Sequence, residues 1–226
     1  MKLGIPVYNG VNLLDVVGPL EMFYWAGKWA GRHGKNLETF LVSPDGKAVT
    51  SINGVTFEVG KKSFPNTPAL DILWVPGGDP VVLGQIMSDP NSPYLKYLRD
   101  IAVDAKWVCS VCEGALLLAR AGLLAGHTAT THWYFVDCLK KLDVTVDTTL
   151  PRPRFVESKI INRAGKEEKR LTGGGISSGL DEALQLIFLL FGEEAAKDVQ
   201  VTTEYFPKPP VMGAIGAAPE CTVKWH

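Results

Sequence analysis

A chain of 226 residues, 46% of them apolar, is long enough to bury a sizeable core. Its 23 basic and 24 acidic side chains nearly balance and form no basic stripe, which argues against nucleic acid as a partner. No apolar run reaches the roughly 18 residues that span a bilayer, and Met1-Lys2-Leu3-Gly4 leads into a strand-like segment without the long apolar stretch of a signal peptide, so a cytoplasmic protein without membrane contact is expected.

In chain order, Lys2 to Tyr8 reads as a short buried strand, Asn9-Gly10 as a turn, and Leu13 to Gly27 as a helix with Leu14, Val17, Leu20, Met22, Phe23 and Trp25 at helical spacing. Leu37 to Val42 is a strand. Ala48 to Val59, broken at Asn53-Gly54, predicts a β-hairpin with a type I′ turn, added antiparallel to the sheet. Asp71 to Val75 is a buried strand ending at Pro76-Gly77-Gly78, Pro93 to Ala105 is helical, and Trp107 to Val111 is a strand. Helices follow at Glu113 to Ala121, closed by Gly122, and at Trp133 to Leu142. Val144, Val146, Phe155 to Ile161 and Arg170 to Thr172 are strand-like, Ile176 to Phe191 is a long apolar helix, and the Pro/Gly/Ala-rich end is an irregular tail suited to packing on a partner subunit. Strands alternating with helices predict an α/β, three-layer sandwich around a mostly parallel sheet. No repeat or linker divides the chain, so one domain over residues 1–226 is expected.

The sharpest local feature is the segment WVCSVCEGALLLARAGLLAG, residues 107–126. A strand ends at Val111 and a helix starts directly after Cys112, which puts this side chain at the carboxyl edge of the sheet, where α/β folds place their sites. The N–H groups and positive end of the helix favour a thiolate and lower a cysteine pKa, and Gly114 lets strand and helix approach as in a nucleophile elbow. The competing reading is an inert core cysteine. Gly77-Gly78 ends a neighbouring strand; it either offers a backbone N–H that binds an oxyanion together with that of Glu113, or forms a plain left-handed turn. Asp15, at the start of the first helix, is either an N-cap or, if the first strand lies beside the elbow strand, a neighbour of Cys112. Cys109-Ser110-Val111-Cys112 has C-x-x-C spacing, but Cys109 falls inside an apolar strand and reads as core. The four cysteines, Cys109, Cys112, Cys138 and Cys221, suggest no disulfide scaffold in a chain this long and are expected as thiols. His33, His127, His132 and His226 show no metal-ligand spacing with them, so no metal site is expected. His132, after Thr130-Thr131, either orients thiol or substrate or serves as a structural hydrogen-bonding residue. Residues 173–179, GGGISSG, have neither a P-loop lysine nor the dinucleotide fingerprint and read as a tight strand-to-helix turn lining the pocket.

Taken together, Asp15 in LLDVVGPLEMF, Gly77-Gly78, Cys112 in SVCEGALLLARAGLLAG, Thr131-His132-Trp133 and GGGISSGLDEAL at 173–184 resemble the ThiJ/PfpI superfamily over nearly the whole chain. Within it the chain is most similar to the isocyanide hydratase group, whose members carry a tail similar to VQVTTEYFPKPP at 199–210. The resemblance implies a flavodoxin-like sheet of the class I glutamine amidotransferase kind. It implies a homodimer without metal or organic cofactor. It makes Cys112 the nucleophile, Asp15 the acidic residue beside it, and Gly78 and Glu113 the oxyanion-hole backbone positions. One departure stands out: the group carries Thr after the cysteine, and PfpI-type peptidases carry His, where this chain has Glu113. Glu113 either points to solvent from the first helical turn or reshapes the pocket. The implied reaction on a small-molecule substrate is hydration of isocyanides to N-substituted formamides, in an apolar pocket bounded by Trp133 and Ile176. The rival readings are a glyoxalase-like enzyme acting on methylglyoxal and a cysteine redox sensor.

Overall fold

The computed structural model describes residues 1–60 and 62–225. In chain order the strands are β1 (Lys2–Pro6), β2 (Glu38–Val42), β3 (Val49–Thr50), β4 (Thr56–Phe57), β5 (Ile72–Val75), β6 (Trp107–Ser110), β7 (Thr128–Ala129), β8 (Thr145–Val146), β9 (Phe155–Ile161) and β10 (Glu167–Gly173). The helices are α1 (Leu13–Arg32), α2 (Pro80–Ser88), α3 (Pro93–Ala102), α4 (Gly114–Arg120), α5 (Val136–Lys140), α6 (Ser178–Phe191) and α7 (Glu193–Thr202).

Six strands form the main sheet in the order β2-β1-β5-β6-β10-β9. All neighbours pair parallel except β9 with β10. The central strands are apolar on both faces: every residue of β5 and β6 is buried, as parallel strands covered by helices require. Helices α1, α6 and α7 pack together as one layer, and α2, α3 and α4 as another. The expected three-layer α/β sandwich is thus observed, and five of its strands follow the flavodoxin-like order. The chain turns to opposite sides of β1 to make β2 and β5, so a crevice opens at the carboxyl ends of β1 and β5, the usual ligand position in such sheets.

Several local expectations change. The residue 48–59 hairpin exists, but β3 and β4 form a two-stranded sheet of their own, and the antiparallel member of the main sheet is β9. Its turn is not type I′. Gly54 has φ 86° while Asn53 is not left-handed, and the Gly54 N–H donates to the Ser51 carbonyl at 2.9 Å, so a longer loop with a single left-handed glycine closes the hairpin. Residues 133–142 begin as a 3₁₀ turn at Trp133–Phe135 before α5.

Two of the four cysteines are not thiols. Cys138 of α5 and Cys221 of the tail form a disulfide across 83 residues of sequence. This corrects the expectation of four thiols and removes one of the grounds for placing the chain in a reducing compartment. The tail end packs on its own chain. The Cys221 N–H donates to Asp137 Oδ2 at 2.8 Å, Val223 is buried, and the Lys224 carbonyl rests on Gly84 of α2, where a Cβ would lie 2.4 Å from it. The stretch between is irregular and exposes Phe206, Val211, Met212 and Ile215. No helix among the described residues is long and apolar enough to cross a membrane.

Candidate active site

Cys112 occupies the tight turn between β6 and α4 with φ 57°, a left-handed conformation that costs a non-glycine residue energy. The turn is held from both sides. The Cys112 N–H donates to the Gly174 carbonyl at 2.9 Å, and the Thr131 hydroxyl donates to the Cys112 carbonyl at 2.8 Å. The Gly114 N–H closes the turn on the Val111 carbonyl at 3.0 Å. Gly114 is required by approach rather than by φ: a Cβ there would stand 2.0 Å from the Val75 carbonyl oxygen. With both backbone groups of Cys112 engaged, the elbow has one conformation.

Asp15 meets Cys112 because β1 lies one strand away from β6 across β5. It is the third residue of α1, whose N-cap position is Asn12, so the N-cap reading does not hold. Asp15 is fully buried; Oδ2 accepts the Gly77 N–H at 3.0 Å, and Oδ1 has no hydrogen-bond partner. Glu113 is buried as well, at 6% exposure, so it does not point to solvent. One side-chain oxygen or sulfur atom from each of Asp15, Cys112 and Glu113 lies within 4.8 Å of the other two.

Gly77 and Gly78 are not left-handed, which excludes the plain-turn reading. They are glycines because the loop touches its surroundings. A Cβ on Gly77 would lie 2.3 Å from Glu113 Oε2 and 3.1 Å from Asp15 Oδ2, and one on Gly78 would lie 2.5 Å from the Gly10 carbonyl and 2.8 Å from the Tyr8 hydroxyl. Asn12 N–H to Gly77 carbonyl at 2.9 Å and Asp79 N–H to Gly10 carbonyl at 2.8 Å tie this loop to the end of β1.

Burial sets the electrostatics. It pushes the Cys112 thiol well above its usual pKa, and the charges of Asp15 and Glu113 push it further. Burial likewise raises Asp15 well above the ordinary carboxylate value, with Glu113 adding to it, and raises Glu113. The expected lowering by the helix N-terminus is outweighed: α4 begins after the cysteine, but three acids crowd a site where Cys112 has no exposed surface. All three groups therefore keep their protons to higher pH than they do in water.

The remaining expected residues sit around this centre. His132 caps the 3₁₀ turn, its Nδ1 accepting the Tyr134 N–H at 3.3 Å, and its ring packs so closely on Gly175 that a Cβ there would be 2.5 Å from Cδ2. Burial lowers its pKa. This is the structural reading of His132. Trp133 follows it, half-buried, and Ile176 is 39% exposed on the loop before α6. Both belong to the loops that bond the Cys112 backbone, through Thr131 and Gly174. Cys109 is buried in β6, as expected of core. Residue His226 lies outside the described residues.

Two groups at the site were not anticipated. Tyr8, just past β1, is buried with its hydroxyl against Gly78; burial raises its pKa most, with Tyr94, Glu113, Asp15 and Cys112 adding to the effect. Glu182 of α6 is fully buried, and neither carboxylate oxygen has a hydrogen-bond partner. Burial and then the charge of Asp15 push it well above the carboxylate range. Gly173 leaves room for it, since a Cβ there would be 2.1 Å from Oε2. Its signal in the sequence is a Glu four residues after Ser178 in an apolar helix.

The chain is 34% identical over 224 residues to an isonitrile hydratase from Pseudomonas putida, covering 99% of this chain and 87% of that one. It is 27% identical over 195 residues to the HTH-type transcriptional regulator GbdR of Pseudomonas aeruginosa, covering 85% of this chain but 47% of the regulator. Among solved structures, a ThiJ/PfpI family protein from Pseudomonas syringae superposes with TM-score 0.77 at 30% identity, over 96% of this chain and 81% of that one. Oxidized DJ-1 from Toxoplasma gondii shares the fold with TM-score 0.69 at 22% identity, over 91% and 99% of the two chains. Residues 1–167 match the DJ-1/PfpI family model, and the chain belongs to the DJ-1/PfpI family.

Proposed function

We propose that this chain hydrates isocyanides to N-substituted formamides, with Cys112 as nucleophile and Asp15 as general acid and base. The observation that carries the reading is the buried cluster of Cys112, Asp15 and Glu113 at a clamped elbow. The similarity to an isonitrile hydratase over nearly the whole chain supports it.

The chemistry suits a site that resists charge. In the first step the isocyanide carbon gains both a proton and the sulfur: C–H and C–S bonds form at one carbon, and the product is the neutral thioimidate R–N=CH–S–Cys112. A thiol whose pKa is raised by burial is no handicap here, because Asp15 delivers a proton to carbon as the thiol proton returns to the cluster. Water then adds to the thioimidate carbon, nitrogen takes a proton, the C–S bond breaks, and R–NH–CHO leaves while the sulfur recovers its proton. Atoms balance as isocyanide plus water, with no cofactor and no oxidant. We assign the Gly78 and Glu113 N–H groups to the reacting centre and Trp133 and Ile176 to its apolar approach, with His132, which accepts the Tyr134 N–H, holding the Trp133 loop. A redox sensor needs an accessible, low-pKa thiol, and Cys112 is buried with its pKa raised.

A substrate panel of isocyanides, methylglyoxal and amides, assayed with wild type and Cys112→Ala, tests the proposal. Catalytic formamide production that disappears in Cys112→Ala is expected. Turnover of methylglyoxal with no isocyanide consumption would transfer the assignment to a glyoxalase-like reaction.

A further inference from the structure

Backbone and side chain of Glu113 compete for one position. Its N–H and that of Gly78 are the donors that would receive an oxyanion formed at a carbon attacked by Cys112. Its own carboxylate is folded back over them. Oε2 presses on Gly77 so closely that a Cβ there would be 2.3 Å away, with the Glu113 nitrogen 2.7 Å from the same point. Burial raises the Glu113 pKa, and hydrogen bonds from the Cys112 thiol, the Glu113 N–H and the Gly78 N–H to its carboxyl oppose that rise. The side chain is buried.

We propose that the Glu113 carboxyl plugs the oxyanion position between its own N–H and that of Gly78, which makes residue 113 a specificity determinant that rejects carbonyl electrophiles and leaves isocyanide addition open. The plug rests on the close packing of the Glu113 carboxyl against Gly77 and its own nitrogen; the statement about isocyanides rests on the hydration reading. When a thiolate adds to a carbonyl carbon, the C–S bond forms and the π pair moves onto oxygen, which then needs those two donors. An anion arriving there finds the position already filled by carboxyl oxygen. In the isocyanide step no oxygen is present and no oxyanion forms. The only oxygen that enters later comes as water, which brings protons that a carboxylate can accept.

The experiment compares Cys112 acylation by p-nitrophenyl acetate in wild type, Glu113→Ala, Glu113→Thr and Glu113→Gln. In this reaction the C–S bond forms, the ester C–O bond breaks, and p-nitrophenolate is released and counted. One oxyanion-hole donor is worth about 10²–10³ in rate, so opening the hole in the Ala and Thr variants is expected to raise acylation at least about tenfold, while Gln, whose amide oxygen refills the position, stays near wild type. Isocyanide turnover is expected not to rise with it. Ala and Thr variants that acylate at the wild-type rate or slower would overturn the plug, as would a Gln variant that rises with them. Should Glu113→Ala fail to fold, Glu113→Thr carries the comparison. Absence of isocyanide turnover in wild type would remove the hydration reading, while the ester rates would still decide the plug.

Discussion

Asp15→Asn separates chemistry from architecture at this site. Because Asp15 is the third residue of α1 and not its N-cap, no capping bond is lost. Its structural bond is Oδ2 accepting the Gly77 N–H at 3.0 Å, and an Asn side-chain oxygen can take the same place. The unpartnered Oδ1 becomes an amide nitrogen of nearly the same size. Burial, followed by the Glu113 charge, raises the folded pKa of Asp15 above its unfolded value. The native state therefore holds this proton more tightly, and the associated stability is complete below the unfolded value near 3.8 and is lost as pH rises through the folded value. Asn does not titrate and escapes that loss. At neutral pH the variant is expected to be as stable as wild type or more so, within about 1 kcal/mol, with the difference smallest near pH 4. Isocyanide turnover is expected to fall by about 10²–10⁴, the usual contribution of a general acid–base group. Thermal unfolding at the two pH values and formamide production at neutral pH measure the two quantities. Wild-type turnover in Asp15→Asn would refute the proton-transfer role.

Three further outcomes follow from specific contacts. Glu182→Gln is expected to raise stability at neutral pH, since the amide is as unpartnered as the carboxyl but does not titrate in a buried site. The raised folded pKa places this gain above the unfolded value near 4.5, so urea unfolding should show it shrinking toward pH 4. Gly114→Ala drives a Cβ to 2.0 Å from the Val75 carbonyl oxygen and 2.9 Å from its carbon, backbone atoms that cannot rotate away; a loss of about 1–3 kcal/mol or more is expected by thermal unfolding, with slower alkylation of Cys112. The exposed Phe206, Val211, Met212 and Ile215 suit an interface between two copies of the chain. Light scattering should return a dimer mass, and a monomer at micromolar concentration would contradict it.

The sequence was most informative where one strand and one turn suffice. Residues 107–121 carry an apolar run, then Cys112 and, two positions on, Gly114, and they fold as the strand, elbow and helix those residues dictate. Helix α2 was missed because Pro80 follows Pro76-Gly77-Gly78 and reads as part of a loop, although Pro at the first helical position after the capping Asp79 is a start signal. Helix α7 carries little sequence signal because its buried face is small, Ala195 and Val199 among charged residues, and it follows α6 with only Gly192 between. Strand β10 runs from Glu167, three residues earlier than its apolar part, because at the polar end it is held by pairing with β9 rather than by burial. Cys112 was legible from its turn, and Asp15 from the resemblance, but their contact depends on strand order, which no local pattern contains. The same is true of the Cys138–Cys221 bridge, and of Glu113, whose direction is set by the Gly77 loop from another strand.

The central claim is that Cys112 forms a covalent bond to the isocyanide carbon. Acid-quenching the enzyme during turnover of a small alkyl isocyanide, followed by intact-mass and peptide mass analysis, tests it most directly. An added mass equal to one isocyanide on the peptide holding Cys112, absent from Cys112→Ala, is the expected result. Formamide production by Cys112→Ala at the wild-type rate, or an adduct confined to another residue, would contradict the account.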